Sequence, residues 1–151
     1  MHVGDLAPDF TLVDQHGVLR SLSGSLEDGP VVLFFYPAAL SKGCTQESCH
    51  FRDLASEFAA LGAQRIGISM DSLKRQARFA EQNNLDYPVL ADIGGIVARQ
   101  FGVKRSLDFL KVKRTTFIIG RDQRILDVIA SELNMNVHAE RAIASLKAHS
   151  S

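Results

Sequence analysis

Residues 30–54 read PVVLFFYPAALSKGCTQESCHFRDL, and the fold turns on them. The first part, Pro30–Tyr36, is a continuous apolar run of strand length, as in a strand buried on both faces. The period then changes. Cys49, Phe51, Leu54, Phe58 and Leu61 recur at steps of two to four residues, which predicts one helix over Thr45–Leu61, ended by Gly62. Between strand and helix lie a proline, Pro37, and the first of the chain's two cysteines, Cys44.

Working outward, Phe10–Val13 reads as a short strand entering a turn at Asp14–Gly17. Ala63–Met70 is a second buried strand. Asp71 or Ser72 caps a helix to about Asn83, with Leu73, Ala77 and Ala80 on one face. Tyr87 precedes a proline and is pushed out of the α region, so YPVLAD is a short extended piece. Ile93–Phe101 is a short helix closed by Gly102. Thr115–Ile119 and Ile125–Ile129 form an antiparallel hairpin through a turn at Gly120–Gln123, and Val137–Ala148 is a final amphipathic helix. Strands alternating with helices predict an α/β fold. The element order resembles the thioredoxin-like fold: a mixed central sheet, helices on both faces and an N-terminal extension. At 151 residues the chain is expected to be a single domain, residues 1–151, burying about 68–70% of its unfolded surface.

Charge narrows the function. Seventeen basic residues balance seventeen acidic ones, with no basic block to hold nucleic acid and no acidic tail. The longest apolar run, Val31–Tyr36, is far short of a membrane span. MHVGDLAPDF lacks the basic and apolar regions of a signal peptide. A cytoplasmic monomer is expected, its thiols reduced by default.

Cys44 and Cys49 admit three readings. On one continuous helix their Cα atoms stand roughly 8–9 Å apart, beyond the ~7 Å reach of a disulfide, so the pair is a poor structural staple. Zinc needs four ligands, but only His50 is adjacent; His2, His16, His138 and His149 are scattered without ligand spacing. No metal is expected. The third reading is reactivity. Cys44 follows Gly43 at a loop-to-helix junction, where free amides and the positive end of the helix dipole stabilise a thiolate. Cys49 reads either as a small buried hydrophobe or as a second thiol, reachable only after the helix start melts.

Pro37-x-x-x-Ser41-x-x-Cys44 resembles the P-x-x-x-[TS]-x-x-C signature of the peroxiredoxins. The continuation Gly43-Cys44-Thr45-x-Glu47-x-Cys49-x-Phe51-Arg52-Asp53 is similar to the bacterioferritin-comigratory, or PrxQ, subgroup. GDLAPDFTL, GISMDS and RTTFIIGRDQRI extend the likeness over nearly the whole chain. One departure is Ser41-Lys42-Gly43-Cys44 where the family commonly has Thr-Pro-Gly-Cys; the hydroxyl is kept and a positive charge replaces the proline. The resemblance implies a thiol peroxidase acting on hydrogen peroxide and organic hydroperoxides without a cofactor. Cys44 would be peroxidatic and Cys49 resolving, with an intramolecular disulfide recycled by thioredoxin or a similar dithiol. Ser41 and the Gly43–Cys44 amides would orient the peroxide, Arg114 would hold its oxygens and stabilise the thiolate, and Pro37 would shape the loop and limit water. Glu47 reads as a structural carboxylate in the helix's first turn. The alternative is a copper-binding protein on the same fold, which would want C-x-x-x-C and a downstream histidine.

Overall fold

The computed structural model describes residues 1–106 and 111–149. In chain order its elements begin with β1 (Thr11–Val13), β2 (Leu19–Ser21), α1 (Leu22–Leu26), β3 (Val31–Phe35), α2 (Lys42–Asp53) and α3 (Ala55–Ala60). They continue with β4 (Gln64–Ser69), α4 (Leu73–Gln82), β5 (Val89–Ala91), α5 (Ile96–Gln100), β6 (Thr115–Ile119), β7 (Ile125–Ala130) and α6 (Asn136–His149). β1 and β2 make a small antiparallel hairpin, and five strands form the central sheet in the order β5-β4-β3-β6-β7. β3 runs parallel to β4 and antiparallel to β6, so the sheet is mixed, as expected.

The central place of β3 explains its composition. All five of its residues are buried, and side chains alternate between faces. Val31, Leu33 and Phe35 join one core layer with Leu22 and Leu26 of α1 and Val97 and Ala98 of α5. Val32, Phe34 and Tyr36 join the other with Cys44 and Phe51 of α2, Phe58 of α3, Phe79 of α4 and Ala139 and Leu146 of α6. Phe51 stacks on Phe34 with ring centroids 4.2 Å apart, which docks α2 directly on the middle strand.

Two expectations are corrected. The predicted helix over Thr45–Leu61 starts earlier and is two helices. Ser41 caps α2, its Oγ accepting the Cys44 N–H, so the helix begins at Lys42. It steps at Leu54 (φ −98°, ψ 21°) before α3. The step falls where Arg65 of β4 donates at 2.9 Å to the carbonyl of Phe51, the oxygen a continuous helix would offer to Ala55. In α4 the buried residues are Gln76, Phe79 and Ala80, while Leu73 is exposed. Gln76 escapes an apolar reading because its polar ends are matched: it accepts from Tyr36 Oη at 2.6 Å and donates to the Leu90 carbonyl at 2.6 Å.

Candidate active site

The antiparallel register of β6 on β3 pairs Thr115 with Phe35. Arg114, just before Thr115, therefore lies at the same end of the sheet from which the Tyr36–Ser41 loop leaves β3. Period-two alternation puts Arg114, Thr116 and Ile118 on the face that α2 covers. Cys44 and Arg114, seventy positions apart in sequence, thus meet.

Cys44 occupies the third position of α2 and is fully buried. Its N–H is held by Ser41 Oγ at 3.3 Å, while the Ser41 hydroxyl donates to the Ala38 carbonyl at 2.8 Å. The amides of Lys42 and Gly43 stand in the first turn, where a helix offers no acceptor of its own. Arg114 Nη2 donates to Cys44 Sγ at 3.3 Å, and Nη1 to Glu47 Oε1 at 2.6 Å. Gly43 makes room for this: a Cβ there would lie 3.3 Å from Arg114 Nη2 and 3.4 Å from Met135 Cε. The Arg114 backbone N–H donates to Glu132 Oε1 at 2.9 Å, and Arg105 donates to the same oxygen. Arg114 is therefore held at its backbone by Glu132 and at Nη1 by Glu47, with Nη2 aimed at the sulfur.

Ser41, Gly43, Cys44 and Arg114 are brought together, with Pro37 at the head of the loop. Cys49 stands apart from them. It is half-buried, and its Sγ lies 3.6 Å from Asn83 Oδ1 at the end of α4. Both cysteines are free thiols on one unbroken helix. Among the described residues no group of three or more His, Cys, Asp or Glu could hold a metal ion.

Several residues of the site escaped the sequence reading. Glu47, expected in the first turn as a structural carboxylate, falls in the second turn because α2 starts at Lys42, and it is fully buried. Its Oε2 lies 3.5 Å from Nδ1 of His138, which belongs to α6 and is also fully buried. His138 Nε2 faces the Ser131 carbonyl at 2.9 Å, and a carbonyl only accepts, so that nitrogen carries the proton. Nδ1 is then the acceptor for the Thr116 hydroxyl at 2.7 Å. Burial pushes the His138 imidazole below its ordinary range, which keeps it neutral. The i, i+3 spacing of Cys44 and Glu47 was a signal for the glutamate; nothing local marked His138.

Burial also drives Glu47 from its ordinary 4.5 up to about 7, against the pull of Arg114. A carboxyl whose folded value is raised binds its proton more tightly folded than unfolded. It therefore loses stability as pH rises from about 4.5 to about 7, by roughly 3 kcal/mol. His138 acts in the opposite sense, so the effect is isolated by comparison with Glu47→Gln. Urea unfolding should show the stability of the wild type relative to that variant falling by about 3 kcal/mol between about pH 4 and pH 8. A difference independent of pH would mean that Glu47 keeps an ordinary carboxylate titration.

Residues 3–128 match the model of the AhpC/TSA family. The crystal structure of peroxidoxin BcpB from Mycobacterium tuberculosis superposes with a TM-score of 0.96 at 57% identity, covering 100% of this chain and 99% of that one. Peroxiredoxin Bcp of Bacillus subtilis is 33% identical over 152 residues, 97% of this chain and 96% of its own. The bacterioferritin comigratory protein of Xanthomonas campestris, studied for alkyl peroxide reduction, has a TM-score of 0.87 at 25% identity, covering 99% of this chain and 97% of that one. The fold is the thioredoxin-like fold these proteins share, and none of the three supports the copper-binding alternative.

Proposed function

The chain belongs to the AhpC/TSA family and is a peroxiredoxin, a thiol-dependent peroxidase; from that premise we propose that Cys44 is the peroxidatic cysteine and Cys49 the resolving one. The observation that carries this is Arg114, which donates to Cys44 Sγ with one nitrogen while Glu47 holds the other. A fixed cation of this kind stabilises a thiolate and then the charge developing on the leaving oxygen.

The Cys44 thiolate attacks the terminal oxygen of hydrogen peroxide or an organic hydroperoxide. An S–O bond forms, the O–O bond breaks, and the departing oxygen takes a proton to leave as water or an alcohol. Cys44 is now a sulfenic acid. Cys49 attacks that sulfur, forming the S–S bond and releasing water. A dithiol protein such as thioredoxin supplies two electrons and two protons by exchange, restoring both thiols and itself becoming a disulfide. Ser41 keeps the start of α2 in place, Gly43 admits Arg114 and leaves its amide to the peroxide, and Pro37 stiffens the loop. No cofactor enters. The reading extends to a monomer working in the cytoplasm, where such reductants keep thiols reduced; among the described residues no helix is long and apolar enough to cross a membrane.

Intact mass after one equivalent of peroxide tests the pairing: both thiols should resist alkylation, with the loss of their two hydrogens. Cys49→Ser should perform the first oxidation normally yet fail to recycle with thioredoxin, accumulating sulfenic and then sulfinic acid at Cys44. Normal cycling of that variant with thioredoxin would remove Cys49 from the role.

A further inference from the structure

The loop that delivers Cys44 is tied down by two residues beyond the end of β4, Asp71 in the connection that follows it and Arg75 in α4. Ala39, in the middle of that loop, is buried, yet both its backbone polar groups have charged partners. Its N–H donates to Asp71 Oδ2 at 2.6 Å, and its carbonyl accepts from Arg75 Nη2 at 2.9 Å. Arg75 Nε in turn donates to Asp71 Oδ1 at 2.9 Å, closing a ring of aspartate, arginine and one peptide residue. Ser69, the last residue of β4, donates its hydroxyl to the same Asp71 oxygen at 2.7 Å. The ring is thereby anchored to the central sheet.

The next residue shows why an anchor is needed. Leu40 sits at φ +70°, a left-handed conformation that a side chain disfavours by roughly 1–2 kcal/mol. Ser41 follows, donates its N–H to the Ala38 carbonyl, and accepts the Cys44 N–H at its hydroxyl. Released at Ala39, the chain would relax Leu40 and carry the Ser41 cap away from the start of α2. Asp71 is the stronger member, since its side chain is only 10% exposed against 51% for Arg75, whose contribution is accordingly screened by water.

We propose that Asp71 and Arg75 are positioning residues for peroxide reduction, acting through the backbone of Ala39 to hold Ser41 and Cys44 in register with Arg114. The proposal rests on Cys44 being the reacting thiol. Neither residue touches the sulfur; each fixes the peptide from which the sulfur is hung. A displacement on the order of 1 Å at a reacting group costs about a hundredfold in rate, which sets the scale expected for loss of the ring.

Stopped-flow oxidation by hydrogen peroxide, followed through the later disulfide step, tests this on the full chain. Asp71→Ala should slow the peroxide step about a hundredfold, and Asp71→Asn, which keeps the shape and one acceptor, about tenfold. Arg75→Ala should fall between wild type and Asp71→Asn. Arg75→Lys should recover part of that loss, because an ammonium can meet Asp71 or the carbonyl but not present a fork to both. The loss should lie in the rate constant for Cys44 oxidation, with disulfide formation from the sulfenic acid unchanged. Should Asp71→Ala fail to fold, the asparagine and the two Arg75 variants carry the test. Wild-type oxidation rates in folded Asp71→Asn and Arg75→Ala would overturn the proposal, as would equal slowing of both steps, the mark of general loosening. If wild type itself were oxidised elsewhere than at Cys44, the assignment of the peroxidatic thiol would fail instead.

Discussion

Replacing Cys44 by Ser is expected to abolish peroxide reduction, with a loss on the order of 10⁶-fold, as when a catalytic nucleophile is removed from an enzyme. A hydroxyl is not appreciably ionised at neutral pH, so the group that must attack oxygen is absent although the shape of the side chain is nearly kept. The remaining thiol cannot take over. Cys49 is on the same helix but points toward Asn83, and Arg114 contacts Cys44 rather than Cys49. The buried position should tolerate the hydroxyl, because Arg114 offers it a donor and the cap from Ser41 is on the backbone. Peroxide consumption with a dithiol reductant, alongside far-ultraviolet circular dichroism to confirm folding, measures this. Turnover near that of wild type in a folded variant would take Cys44 out of the mechanism.

The second large effect is expected at Arg114. Arg114→Ala should slow the peroxide step by about 10²–10³-fold, the usual consequence of losing one aimed donor to a developing negative charge. The same change strands Glu47 in the core without its ion pair, and that carboxyl then keeps its proton over a wider range of pH. Arg114→Lys should recover only part of the rate. A lysine restores the charge, yet it cannot donate along two fixed directions to Cys44 and Glu47 at once. A peroxide-step rate equal to wild type in the alanine variant would reduce Arg114 to a structural residue.

The parts of this molecule that could be read in advance are those where pattern and local chemistry coincide. Val31–Phe35 is apolar on both faces because it is the middle strand between two core layers, and a continuous run is what such a strand requires. The loop from Pro37 to Cys44 was legible as motif, and Arg114 as its distant cation. The legible part stops where a residue's meaning comes from a partner far along the chain. His138 is one histidine among five until α6 places it against Glu47 and Thr116. Glu47 reads as a first-turn carboxylate suited to the helix dipole until the fold places it one turn further in and buried. The step at Leu54 was equally hidden, since the apolar spacing from Cys49 to Leu61 runs through it undisturbed and only Arg65, from the neighbouring strand, marks where it falls.

That step has a consequence for the catalytic cycle as a whole. With Cys44 and Cys49 about 8–9 Å apart on a regular helix, their union requires the start of α2 to come undone. The far end of α2 is moored independently: Tyr87 Oη donates to the Ser48 carbonyl at 2.7 Å and Arg65 to that of Phe51. Beyond it the chain has already left the helix at Leu54, so α3 need feel nothing. The turns that give way carry Cys44 and Glu47, the two residues Arg114 holds. Under the proposed pairing, joining the sulfurs would dismantle the very socket assigned to the first of them. Such a disulfide form would be an enzyme in pieces at one spot, and its reductant would have to restore an architecture along with two thiols. Helix formation takes about a microsecond or less, whereas enzymes typically turn over about 1–10³ times per second. Rebuilding is thus too quick to be felt as delay.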